Sequence, residues 1–191
     1  MDIYSRKIVG WEIYATESAE QAAEVLRKTR FAEALPLNHE LVLHSDNGSP
    51  MKGATMLATM QKMGVVPSFS RPSVSNDNPY SESLFKTLKY VPAYPAQPFK
   101  TIDDARRWVA TFSTWYNHSH RHRGLKFVTP VQRHKGRDKA ILEQRKCVYQ
   151  KARRLNPERW TGKIRNWDHV AEVKLNPINE HTLNIEMKKA A

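Results

Sequence analysis

The segment from Leu41 to Phe69 constrains the fold most. Leu41-Val42-Leu43-His44 is a short apolar run of strand character, and Asp46-Asn47-Gly48-Ser49 has the composition of a turn. A helix is expected from about Lys52 to Met63 with Gly64 as its stop, and Val65 to Phe69 reads as the next strand. A β-α-β passage of this kind places the chain in the α/β class.

The flanking segments extend that reading. Ile8-Val9-Gly10-Trp11-Glu12-Ile13-Tyr14 is expected to be a strand entered through a hairpin turn at residues 4–6, which makes Met1 to Ile3 the end of a preceding strand. Ser18 and Gln21 form a capping box for a helix to about Leu35, with Ala22, Ala23, Leu26 and Ala34 along its apolar side. Residues 70–77 have the composition of a mobile loop, and Asn78-Pro79 opens a helix with proline at its first position. Thr101 and Asp104 cap a further helix, in which Trp108, Phe112, Trp115 and Tyr116 recur at spacings of 3 and 4, a pattern of core packing. Beyond Pro130 come a basic helix at about 138–155 and two short strands near 170–175 and 182–187.

With 191 residues the chain has room for one main domain and an appendage. No apolar run approaches the roughly 20 residues needed to span a bilayer. The first residues also lack the pattern of a secretory signal, so a cytoplasmic protein with no membrane partner is expected. The single cysteine, Cys147, has no internal partner for a disulfide and makes no multi-cysteine zinc site. Charge is more informative. The formal net charge is +12, yet residues 1–100 are nearly balanced, with 11 basic and 10 acidic side chains. Residues 121–165 carry 15 basic and three acidic side chains, which accounts for the whole excess. A polyanion is the natural partner of such a segment, because each phosphate it neutralises releases condensed counterions.

Three carboxylates stand where chemistry could use them: Asp2 at a strand end, Asp46 just after a strand, and Glu82 near a helix start. Singly, each also suits a terminal position, a turn or a helix dipole. Together, with 35 residues between Asp46 and Glu82, they form a strand-end, strand-end, helix arrangement, one way to gather carboxylates around hard cations. Lys86 and Lys89 come four and seven residues after Glu82, on the same helical face, where they either stabilise the helix or meet phosphate. His118, His120 and His122 are not read as a metal site, because side chains two apart on a helix point in different directions. Arg121 and Arg123 between them suit phosphate contact. Trp160 and Trp167 flank Lys163 and Arg165, which are candidate DNA contacts. The two tryptophans suit base stacking, a partner chain, or the packing of a small tail domain.

The segments Asp2-Ile-Tyr-Ser-Arg-Lys-Ile-Val-Gly-Trp11, His44-Ser-Asp-Asn-Gly-Ser49 and Asn76-Asp-Asn-Pro-Tyr-Ser-Glu-Ser-Leu-Phe-Lys-Thr-Leu-Lys89 resemble the catalytic core of the retroviral-integrase superfamily, and specifically bacterial insertion-sequence transposases. The likeness continues through Trp115-Tyr-Asn-His118, Leu125 to His134, Glu158 to Trp167 and Leu175-Asn-Pro177. It implies a ribonuclease H-like fold, a mixed five-stranded sheet with helices on both sides. It also implies an Asp2, Asp46, Glu82 triad that holds two Mg²⁺ ions, for which Mn²⁺ substitutes. The implied reaction is metal-dependent cleavage and strand transfer of DNA, with transposon ends and target as substrates and a multimer as the working unit. In the family the strand ending in the first aspartate runs through mid-sheet and a helix-turn-helix region precedes it. Here both are expected to be missing, as in a reading frame that starts at an internal methionine, with an upstream helix-turn-helix subunit or segment as a partner. The expected division is a catalytic core over 1–126 and a basic tail over 127–191, helical and then with small β elements. Two alternatives stand beside the enzyme: a truncated remnant that binds DNA without cutting it, and a ribonuclease H-like nuclease acting on RNA–DNA hybrids.

Overall fold

The computed structural model describes residues 1–36, 38–72 and 77–175. Its centre is the β-α-β unit. Strands β1 (Leu41–Ser45) and β2 (Val65–Phe69) pair in parallel, with Leu41 opposite Val65 and Ser45 opposite Phe69. Helix α1 (Ala19–Ala32) precedes the unit, and Ser18 caps it by accepting the Gln21 N–H at 3.2 Å. The crossover consists of two helices, α2 (Ser49–Lys52) and α3 (Ala54–Lys62), where the sequence suggests one. Gly53 separates them in an extended conformation, and a Cβ there would lie 2.5 Å from the Cβ of Ala19. Only glycine lets the crossover approach α1 that closely.

Period-two alternation sets the two faces of the sheet. Leu41 and Leu43 point inward and pack on a cluster of Ala23, Leu26, Met56, Met60 and Val65, which joins α1, α3 and β2. Val42 and Val66, paired in register, are 62% and 57% exposed on the other face. Burial of a side chain such as Leu26 or Met60 stabilises by about 1.5–3 kcal/mol, so this cluster is the main support of the unit.

Among the described residues the sheet has two strands, not the five expected, and neither 8–14 nor 170–175 is a strand. The expected strand at 182–187 lies outside the described residues. A ladder requires a second backbone to supply donors and acceptors. For residues 8–14 side chains of helix α5 (Ile102–His118) take that role. The Asn117 amide accepts from Ile8 N–H and donates to Ile8 C=O, both at 2.9 Å, while Arg106 donates to Ile13 C=O at 2.9 Å and pairs with Glu12 at 3.2 Å. On the other side the run passes so near α1 that a Cβ on Gly10 would stand 1.8 Å from Thr29 Oγ1. The turn ahead of it does form: Arg6 N–H donates to Asp2 C=O at 2.8 Å and Asp2 N–H to Lys7 C=O at 2.9 Å.

Helix α4 (Pro79–Tyr90) begins with proline as expected, and it buries none of its residues. Helix α5 carries the Thr101–Asp104 capping box. Phe112 and Tyr116 are buried and Trp108 stacks on Phe112 at 5.4 Å, whereas Trp115 stays 36% exposed. Two helices come next, α6 (Pro130–His134) and α7 (Asp138–Leu155). A second cluster of Leu125, Val128, Leu142 and Trp167 packs under α7. Trp160 and Trp167 both meet Tyr149 edge-on, at 5.9 and 5.2 Å, so the tryptophan pair serves packing. Buried Arg133 fastens these parts to the first turn, donating to Tyr4 C=O at 2.7 Å, to the Asp138 carboxylate at 3.2 Å and to Val170 C=O at 2.8 Å. Among the described residues no helix is long and apolar enough to cross a membrane.

Candidate active site

Asp46 comes directly after the last residue of β1 and is exposed. Its Oδ1 accepts the Gly48 N–H at 3.1 Å, the local bond that an Asp-Asn-Gly turn favours. Two residues earlier, His44 ties the end of β1 both to β2 and to the segment that leads into α4. Its Nε2 lies 2.9 Å from Asp77 C=O and its Nδ1 2.9 Å from Ser68 Oγ. A carbonyl can only accept, so Nε2 carries a proton. Asp77 is gripped as well: its carboxylate accepts from Arg71 N–H at 2.7 Å and from the Arg71 guanidinium at 3.0 and 2.9 Å. Those bonds, the guanidinium first, bring the Asp77 carboxyl down to about 2. The described ends of the 70–77 segment are therefore pinned, and residues 73–76 lie outside the described residues.

Glu82 lies in the first turn of α4, exposed, five residues beyond Asp77. Lys86 and Lys89 are placed after it at helical spacing, and both are exposed. The guanidinium of Arg6 sits 3.7 Å over the Tyr80 ring, which links the start of α4 to the turn at residues 2–6.

Asp2 has different surroundings. Its Oδ1 accepts the Tyr4 N–H at 3.0 Å, and its Oδ2 accepts the Ser5 N–H at 3.2 Å and the Ser5 hydroxyl. His134 Nδ1 lies 3.2 Å from the same Oδ2, while His134 Nε2 lies 3.0 Å from Glu33, which also pairs with Lys7 at 2.6 Å. Partial burial pushes the Asp2 carboxyl up, but the bonds from Ser5, His134 and two backbone amides outweigh it and hold the group below its ordinary value.

The structure thus joins Asp2 to Ser5 and His134, and joins the end of β1 to the start of α4 through His44. It does not gather all three carboxylates. Among the described residues no three His, Cys, Asp or Glu side chains form a group able to hold a metal ion. The donor chemistry fits a hard divalent cation, which takes carboxylate oxygens, and neither Asp46 nor Glu82 is in an ion pair among the described residues.

Arg121 and Arg123 are exposed just past α5, where the chain folds back with a bridge between His122 and Val128. His120 stacks on Tyr116 at 5.3 Å, and His122 Nδ1 accepts the Gly124 N–H at 3.1 Å. Burial pushes both imidazoles below their ordinary value. Lys163 and Arg165 are exposed on the extended segment after α7, and the Arg165 guanidinium lies 5.1 Å over the Phe127 ring.

Sequence reasoning missed Ser5, His44, Asn117, Arg133 and His134. Ser5 carries a local signal, a serine three residues after an aspartate in a turn. The others act across the chain, His134 on Asp2 from 132 residues away.

Residues 63–130 match the family of the integrase core domain. Glu82, Lys86, Lys89, Arg121 and Arg123 lie inside that stretch; Asp2, Asp46, Lys163 and Arg165 lie outside it. The chain is 31% identical over 134 residues to the transposase for insertion sequence element IS904 of Lactococcus lactis, covering 68% of this chain and 51% of that protein. It is 25% identical over 134 residues to the putative transposase for insertion sequence element IS986/IS6110 of Mycobacterium tuberculosis, covering 69% and 48%. With the transposase InsF for insertion sequence IS3A of Escherichia coli the identity is 26% over 133 residues, covering 69% and 45%. Residues 63–130 thus carry the likeness to an integrase core domain, and the chain is similar to insertion-sequence transposases. It spans about half the length of the curated relatives it matches.

Proposed function

We propose that this chain is the catalytic core of a DNA transposase, cutting DNA strands and joining them to a target, built on a ribonuclease H-like frame with Asp2, Asp46 and Glu82 as metal ligands. The observation that carries the reading is the His44 to Asp77 bond at 2.9 Å. It sets the start of the Glu82 helix beside the carboxyl end of β1, where Asp46 stands, and ligands of α/β sheets bind outside the carboxyl ends of strands. Two Mg²⁺ or Mn²⁺ ions supply nucleophile activation and stabilisation of the leaving oxygen when bound.

The chain's own residues have separate tasks. Ser5 and His134 keep the Asp2 carboxylate ionised and oriented. Lys86 and Lys89 meet phosphate on the Glu82 side, and Arg121, Arg123, Lys163 and Arg165 extend the contact along the DNA. The partners in this reading are transposon ends, target DNA, further copies of the chain and a helix-turn-helix segment, and the catalytic part runs over 1–126 with 127–191 as basic tail.

A second reading, DNA binding without cleavage, is favoured by the separation of the three carboxylates. One experiment decides between them. The purified chain is incubated with supercoiled plasmid and Mg²⁺ or Mn²⁺ beside Glu82→Gln. Metal-dependent nicking and strand joining are expected in the first protein, with a loss in the variant larger than the roughly 10–100-fold that an outer-sphere partner costs. Gel shifts by both proteins with nicking by neither would establish the second reading.

A further inference from the structure

An open cleft of about 920 Å³ runs between α7 and residues 163–168, and none of Asp2, Asp46 and Glu82 lines it. Lys146, Arg153 and Arg154 form one wall at helical spacing, and Lys163 and Arg165 stand on the other. Asp168 is the one carboxylate lining it, and Lys146 compensates it at 2.8 Å. Arg153, Arg154, Lys163 and Arg165 have no acceptor among the described residues. Among the described residues Arg165 lies over two rings, 5.1 Å from that of Phe127 and 5.6 Å from that of Trp167. Trp167 is 5% exposed and forms the floor against which Arg165 lies. The four cations are exposed and uncompensated among the described residues, so the cleft is a place where anionic acceptors can be supplied from outside.

We infer that this cleft is a DNA-binding site in its own right, which takes the phosphodiester backbone of a duplex by charge and without a metal ion. The inference rests on the DNA reading above and deepens it. A single small anion would engage one pair of these cations, whereas a strand of regularly spaced phosphates engages both walls of an open cleft. Contacts of this kind position the duplex without reading its sequence.

The test is anisotropy of a labelled duplex with the full chain in EDTA over a salt series, for the wild type and for Arg153→Gln/Arg154→Gln/Lys163→Gln. The wild type should bind. The variant, whose changed side chains are all exposed and whose melting temperature should match, should lose affinity for unrelated duplexes alike, with a log K against log salt slope shallower by roughly 2 to 3, about 0.9 for each lost contact. Arg153→Lys/Arg154→Lys should keep most of the slope, since a phosphate responds to charge. An unchanged slope and affinity in the glutamine variant overturns the inference, even if plasmid nicking still depends on Glu82. A wild type that binds through the cleft yet never nicks defeats the enzyme reading and leaves the cleft standing. Absence of duplex binding by the wild type overturns both.

Discussion

The turn that carries Asp2 is held from several sides, whereas the helix that carries Glu82 buries none of its residues. Asp2 has its oxygens engaged by Tyr4, Ser5 and His134, and behind it Arg133 locks Tyr4 to Asp138 and Val170. Glu82 stands on an exposed helix whose Phe85 and Tyr90 are 57% and 78% exposed, moored by Arg6 over Tyr80. The two ends of the proposed triad are therefore prepared in opposite ways. Asp2 is oriented by these bonds, most of them at Oδ2, while Oδ1 accepts only from Tyr4. Glu82 has no ion-pair partner among the described residues and stands on a helix that buries none of its residues.

The largest effect expected from this contrast lies at the buried ion pair. Arg133→Ala leaves Asp138, which is fully buried, with only His169 at 3.3 Å among the described residues, and should destabilise the chain by roughly 3–5 kcal/mol in urea unfolding. Hydrogen exchange should accelerate over residues 2–6 far more than over α4, and equal acceleration in both would erase the contrast. Next, Gly10→Val drives a side chain into Thr29 and should cost about 1–3 kcal/mol, because the run 8–14 is wedged between α1 and α5. A neutral outcome would show that the run is not seated there.

Asp2 and Asp77 have carboxyls lower in the folded chain than their ordinary value of 3.8, so the unfolded chain binds more protons around and below that value. The stability they contribute is therefore fully present well above pH 4 and is lost as pH falls, for Asp77 down to about 2. Asp2→Asn and Arg71→Ala should each flatten this acid limb, and an unchanged limb in both would refute the assignment. The smallest effect belongs to α4: Phe85→Ser should shift stability by no more than about 0.5 kcal/mol, as for a surface site, and a larger loss would mean that the helix is packed.

What was legible in the sequence was local. The caps at Ser18 and Thr101, proline at the start of α4 and the apolar runs of β1 and β2 each decide their element within a few residues. Helix α6 carries the same kind of signal, Thr129 and Gln132 in a capping box around Pro130. The run 8–14 misleads because its apolar, β-rich composition says nothing about its partner, the side chain of Asn117, 109 residues on from Ile8. The positions of Asp46 after a strand and Glu82 in the first turn of a helix were legible, while their role as metal ligands is what the family resemblance implies. The contact of Asp2 with His134 was not legible, since His134 arrives through the packing of Arg133 on the first turn.

The proposed metal site is tested most directly by Mn²⁺ binding to the full chain, measured by electron paramagnetic resonance, for the wild type, Asp46→Asn and Glu82→Gln. Binding by the wild type and at least about tenfold weaker binding in each variant are expected, since loss of even an outer-sphere partner costs roughly 10–100-fold. Equal affinity in all three proteins, or no binding by the wild type, would contradict the assignment of Asp46 and Glu82 as metal ligands.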